Sequence, residues 1–94
     1  MAVKIAGIEF DTVSFDAKED VLDVQRGGLE SAVSFGKSKE GDEIRFGADG
    51  EIVGIAIYHA RARYLPERTL SITLPRHRVV ATADAFGNVL AVRT

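Results

Sequence analysis

Ninety-four residues, 46% of them hydrophobic, supply one small domain and not two. At this length only about 60% of the unfolded surface is buried on folding, which leaves little room for a deep enclosed site and favours self-association. No cysteine is present, which excludes disulfides, thiolate zinc sites, iron–sulfur clusters and cysteine nucleophiles. Residues 1–7 run at once into Glu9 and Asp11, too short a stretch for a signal peptide or a membrane span, and the net charge of −2 argues against a uniformly basic surface, so we expect a soluble, cytoplasmic protein.

Residues 8–15 alternate apolar and polar positions apart from a change of phase near Thr12, the pattern of a strand with a bulge or bend. The acidic run 16–20 is a turn, and 21–25 is the returning strand of a hairpin that Gly27 and Gly28 end. A third strand is expected over 31–35, a polar loop over 37–42 and a fourth strand over 43–46. Asp49 and Gly50 tolerate positive φ, so a type I′ turn is expected to lead into the fifth strand.

Residues 51–58 are apolar on both faces, which places them at the centre of a sheet or against a partner. Continued as a strand, the segment puts His59, Arg61 and Arg63 on one face and Tyr58, Ala60, Ala62 and Tyr64 on the other. A turn of helix competes, since alanine and arginine favour it, and Pro66 ends either form. Residues 69–74 alternate again up to Pro75, and 77–84 with 89–92 read as another hairpin around Gly87.

These elements predict an all-β, mainly β fold: one domain over residues 1–94, an antiparallel meander of about six to eight short strands, with at most one short helix near 59–65. Its expected core includes Phe10, Leu22, Val24, Val33, Phe35, Ile44, Ile55 and Ile57, with Val79, Val80, Val89 and Val92 added by the C-terminal segment. Residues 66–94 are a β extension that either completes the same sheet or is exchanged between subunits.

Two stretches carry a family resemblance. Phe15, Asp16, Val21, Leu22, Asp23 and Val24 set an aromatic–Asp turn before a strand, and Asp49, Gly50, Glu51, Ile52, Val53, Gly54, Ile55, Ala56 and Ile57 form the more specific second motif. Together they resemble the domain-of-unknown-function 2283 family of short bacterial proteins, over about residues 12–60. Ala56 stands where that family usually carries an acid, and Asp23 where it tends to have an aromatic or another polar residue. The resemblance implies a small β-rich fold and assigns no catalytic residue. Some members are similar to proteins encoded beside small toxins, which implies an antitoxin-like partner role.

Charge is unevenly placed. Residues 1–50 hold eleven acids against six bases, and residues 51–94 hold three acids against six bases, all arginine. The planar, permanently charged arginine fork suits carboxylates and phosphates, so the two halves are expected to pair within the fold or between subunits. An external anionic partner is the second reading. Tyr58, His59, Arg61, Arg63 and Tyr64, with Arg76 and Arg78 further on, have the composition of a protein interface, and also of a phosphate-tracking surface with stacking platforms.

Asp16, Glu19, Asp20 and Asp23 read first as turn residues; lacking the twelve-residue loop with its glycine and terminal glutamate, they make a weak metal candidate. His59 and His77 are too few for a zinc site. No Gly-x-Ser-x-Gly elbow or phosphate loop is present, so no catalytic, metal or cofactor residue is assigned. The expected function is a non-enzymatic, self-associating protein-interaction module, a homodimer or larger, that engages a protein partner through the surface around Tyr58, His59, Arg61, Arg63 and Tyr64. The alternative is a small nucleic-acid-associated regulator that sets Arg61, Arg63, Arg76 and Arg78 on phosphates.

Overall fold

The computed structural model describes residues 3–5, 8–28, 32–66, 70–74 and 77–81. The fold is all-β with one short helix. In chain order the elements are β1 (Val3–Ile5), β2 (Ile8–Phe10), β3 (Thr12–Asp16), β4 (Val21–Gln25), β5 (Ser34–Lys37), β6 (Glu43–Phe46), β7 (Ile52–Tyr58), α1 (Ala60–Tyr64), β8 (Leu70–Leu74) and β9 (His77–Ala81). Five strands form an open antiparallel sheet in the order β3-β4-β7-β6-β5, and β1-β2 and β8-β9 are separate two-stranded ribbons.

The change of phase near Thr12 marks a real break: residues 8–15 divide at Asp11 into β2 and β3, which belong to different sheets. The third strand starts later than residue 31 and takes in Lys37, which the sequence suggested for a loop. The hairpin β3-β4 and the meander β5-β6-β7 are each sequential and join where β4 pairs with β7. That order follows from composition. Six of the seven β7 residues are buried, and a strand apolar on both faces is best accommodated with neighbours on either side.

The turns explain how the meander closes. Between β6 and β7, Gly50 N–H donates to Gly47 O at 2.9 Å and Gly47 N–H to Glu51 O at 2.8 Å, with Gly50 at φ 82°. Asp49 is not at positive φ, so this is not the expected type I′ turn but a three-residue loop closed by a left-handed glycine. The β5-β6 loop repeats the device: Gly41 N–H donates to Ser38 O at 3.0 Å, with Gly41 at φ 96°. In the β3-β4 hairpin the left-handed position is Asp20, at φ 57°, one of the few residue types that tolerate it.

One face of the sheet carries the core. Phe10, Leu22, Val24, Ile44, Ile55 and Ile57 are fully buried together with Ala60 and Tyr64 of α1 and Leu70, Ile72 and Leu74 of β8. The ribbon β8-β9 shares no ladder with the large sheet, yet β8 packs on the core of its own chain through every second residue. Val33 and Phe35, counted above as core, are 61% and 65% exposed. Phe35 is opposite Arg45 in register, on the face of β5 turned away from the core, and β5 is an edge strand. Val79 and Val80 lie on β9, outside the side chains described, and Val89 and Val92 lie outside the described residues.

On that second face the register aligns two cross-strand rows. One runs Thr12, Gln25, Gly54, Arg45, Phe35, and the other Ser14, Asp23, Ala56, Glu43, Lys37. The two faces differ in what they contribute to stability. Ile55→Ala is expected to cost about 2–5 kcal/mol through loss of buried surface and the cavity it leaves, whereas Phe35→Ala stays within about 0.5 kcal/mol. Urea unfolding of both variants at dilute protein checks the contrast.

Candidate interaction surface

The chain leaves β7 at Tyr58 and turns into α1 through His59, which sits at φ 55° and makes no side-chain cap. A helix forms here because Ala60 and Tyr64 lie one turn apart and both reach the core. Its first N–H groups, which no residue of the helix can accept, are met by one residue of the β3-β4 turn. Ala60 N–H donates to the Asp20 carbonyl at 3.1 Å, Arg61 N–H to Asp20 Oδ1 at 2.7 Å and Ala62 N–H to Asp20 Oδ2 at 3.2 Å.

The other acids of the expected turn cluster have separate tasks. Asp16 Oδ1 accepts the N–H groups of Lys18 and Glu19 at 3.0 and 3.1 Å, and Asp23 accepts Arg45 Nη2 on both oxygens at 2.9 Å. Among the described residues no three histidine, cysteine, aspartate or glutamate side chains gather as a metal-binding group.

Arg63 turns inward. Nη1 and Nη2 donate to Asp42 Oδ1 and Oδ2 at 2.7 and 3.1 Å, and the same two nitrogens reach the carbonyls of Tyr58 at 2.9 Å and Ser71 at 2.8 Å. The Asp42 side chain is completely buried and also accepts the Tyr58 N–H and the Ser38 hydroxyl, each at 3.1 Å. This pair joins an acid of the first half to an arginine of the second within the chain, through a residue, Arg63, that the sequence suggested for an external surface.

The surface expected around Tyr58, His59, Arg61, Arg63 and Tyr64 is therefore much reduced. Tyr64 is fully buried, because a helix rather than a strand carries it to the core side. Arg63 is committed to Asp42. Arg61 is half-buried, its guanidinium 5.2 Å from the centre of the Phe15 ring. Tyr58, at 38% exposure, and His59 remain on the outside. Arg76 lies outside the described residues, and Arg78 stands on β9 opposite Thr73.

Glu40, in the β5-β6 turn, ties that turn to β8: its two oxygens accept the Thr73 N–H and hydroxyl, both at 2.8 Å. Partial burial alone would raise its pKa, but these two hydrogen bonds, with the Glu40 backbone N–H, outweigh it and lower the value from 4.5 to about 2.

The second face of the sheet holds a network that composition did not reveal. Arg45, almost fully buried, lies across Gly54 to reach Asp23. A Cβ at position 54 would meet Arg45 Nε at 3.0 Å and collide with Gln25 Oε1, so glycine is what lets both side chains lie over the central strand. The sequence signal was there in principle: Asp23, Gln25 and Arg45 occupy the polar positions of alternating strands, around a glycine in an otherwise apolar one. Beside this network, on β3 and β4, opens a groove of about 450 Å³ lined by Thr12, Ser14, Asp23, Gln25, Gly27 and Gly28. At the far edge, Val33 and Phe35 stand exposed.

No family model, curated protein or solved structure matches the chain.

Two measurements check the polar ties. Asp42→Ala leaves the Arg63 guanidinium without its carboxylate and is expected to cost about 3–5 kcal/mol, against about 0.5–2 kcal/mol for loss of the helix cap in Asp20→Ala, read by urea unfolding. The lowered Glu40 pKa contributes stability that is fully present above about pH 4.5 and is lost as pH falls through 2. Glu40→Gln should therefore show a shallower fall in unfolding free energy than wild type over that window.

Proposed function

We propose that this chain is a non-enzymatic recognition module that self-associates, and that the contact lies at the β5 edge of the sheet. One observation carries the reading: Val33 and Phe35 are more than half exposed beside each other at a strand that, among the described residues, has no further neighbour in its sheet. Single exposed apolar residues are ordinary. Two together at an open edge, where backbone donors and acceptors also lack strand partners, make a place for another chain to pair.

This moves the contact away from the corner around Tyr58 and His59, where Arg63 and Tyr64 are turned inward. The antitoxin-like role implied by the family resemblance is one form that a protein partner would take. A nucleic-acid role is the weaker alternative. Of its four arginines, Arg63 would have to abandon Asp42 and two carbonyls to meet a phosphate, which leaves Arg61, Arg76 and Arg78.

Sedimentation velocity over a wide concentration range tests the proposal. The wild-type mass is expected to rise above that of one chain with concentration, and Phe35→Thr to hold it near the monomer, while Arg61→Ala leaves it unchanged. A wild type that stays monomeric throughout would overturn self-association.

A further inference from the structure

Among the described residues the five-stranded sheet has two open edges, β3 and β5, and they differ in sign. Along β3 the exposed charges are Asp11 and Asp16 with Glu19 in the following turn, against Lys18 and, beside Asp11, Arg26. Along β5 they are Lys37 and Lys39; of the nearby acids, Glu40 is engaged by Thr73, and Glu43, opposite Lys37 on β6, is part-buried with Oε2 3.9 Å from Arg45 Nε. Charged residues on an edge ordinarily keep strands of other chains away. Here they do so only for like edges. Two β5 edges set net positive charge against net positive and two β3 edges net negative against net negative, within a Debye length of each other, whereas β5 of one copy and β3 of another attract.

Resting on the self-association proposed above, we infer that its mode is head to tail: the β5 edge of one copy pairs with the β3 edge of the next. Every neighbouring pair in the sheet is antiparallel, so across five strands β3 and β5 run in the same direction. Copies stacked in one orientation therefore join through a parallel pair, which is somewhat weaker per residue than an antiparallel one. In that orientation the Lys37 end of β5 lies alongside the Asp16 end of β3.

The apolar part of the contact also has somewhere to go. Phe35 projects on the face of the sheet that carries Thr12 and Ser14, and the 450 Å³ groove opens on that same face, lined by both residues and by Gln25, Gly27 and Gly28. The incoming ring meets the threonine methyl, the glutamine stem and bare glycine backbone. A contact between two different patches leaves one edge free on each terminal copy, so growth does not stop at a dimer, and salt weakens it by screening the lysine–aspartate attraction.

Two edge variants test this, each substituted at exposed positions outside the core. Thr12→Lys with Ser14→Lys blocks β3, and Phe35→Thr with Lys39→Gln blocks β5; far-UV circular dichroism and urea unfolding confirm that each is folded. If either double variant is destabilised, Ser14→Lys and Lys39→Gln alone replace it. The expected result is that each blocked protein is monomeric at concentrations where wild type forms a series of masses, with association at least tenfold weaker. Mixed one to one, the two give a dimer and nothing larger, because each supplies one intact edge. If the β3-blocked protein still associates as wild type does, β5 pairs with itself, and the head-to-tail mode falls while self-association stands. If wild type is monomeric throughout, both fall.

Discussion

The contact on which the rest depends is the bidentate pair between Arg63 and the buried carboxylate of Asp42. Burying two charges costs several kcal/mol each before attraction is counted, so such a pair persists only where the remaining lone pairs and protons are also satisfied. Here Asp42 takes two further hydrogen bonds, from Tyr58 and Ser38, and Arg63 gives two more, to Tyr58 and Ser71. Four pieces of the chain meet at this point: the β5-β6 turn, the end of β7, the helix and β8. None of them shares a strand ladder with all the others. The pair thus does between elements what backbone ladders do within the sheet, and through the Ser71 carbonyl it ties down β8, which brings Leu70, Ile72 and Leu74 onto the core.

The lopsided charge of the sequence acquires a structural use from this. Acids of the first half hold the second half in place: Asp42 holds Arg63, Asp20 caps the helix and Glu40 grips Thr73. What is used internally is not on offer outside. An arginine that already spans a carboxylate and two carbonyls cannot be counted toward a phosphate-binding surface, and a tyrosine in the core cannot be a stacking platform. Composition alone overstates the surface available for recognition at residues 58–64.

Legibility in the sequence followed the range of the interaction. The hairpin from β3 to β4, the central place of β7 and the alternation of β8 rest on local periodicity, and each was readable from its own few residues. The helix at 60–64 was ambiguous, because five residues of alanine and arginine fit either state. The resolution comes from Asp20, 41 positions upstream of Arg61: no local capping pattern announces a cap supplied from another turn. The same ambiguity misplaced Tyr64, since strand and helix send it to opposite sides. Phe35 and Val33 were misassigned to the core for a different reason. Alternation says that a strand has two faces but not which one is covered, and at an edge the apolar one is the outer.

The two edges of the sheet bring these threads together. An open five-stranded sheet always leaves two rows of unpaired backbone groups, and a small protein must either protect them or use them. Uniform charge on both edges would protect against every copy of the chain. Opposite charge protects against pairing in two of the three possible edge combinations and permits the third, at no cost to the core, because Lys37, Lys39, Asp11 and Asp16 are all exposed. The exposed Phe35 fits the same proposal. On the core side Phe46 already fills the space, its ring 3.1 Å from where a Cβ of Gly36 would sit; on the outer face Phe35 would add apolar contact to an edge whose charge would select its partner. In the head-to-tail contact proposed above, selection would come from sign and adhesion from one aromatic ring, which together suit a weak contact rather than a tight one.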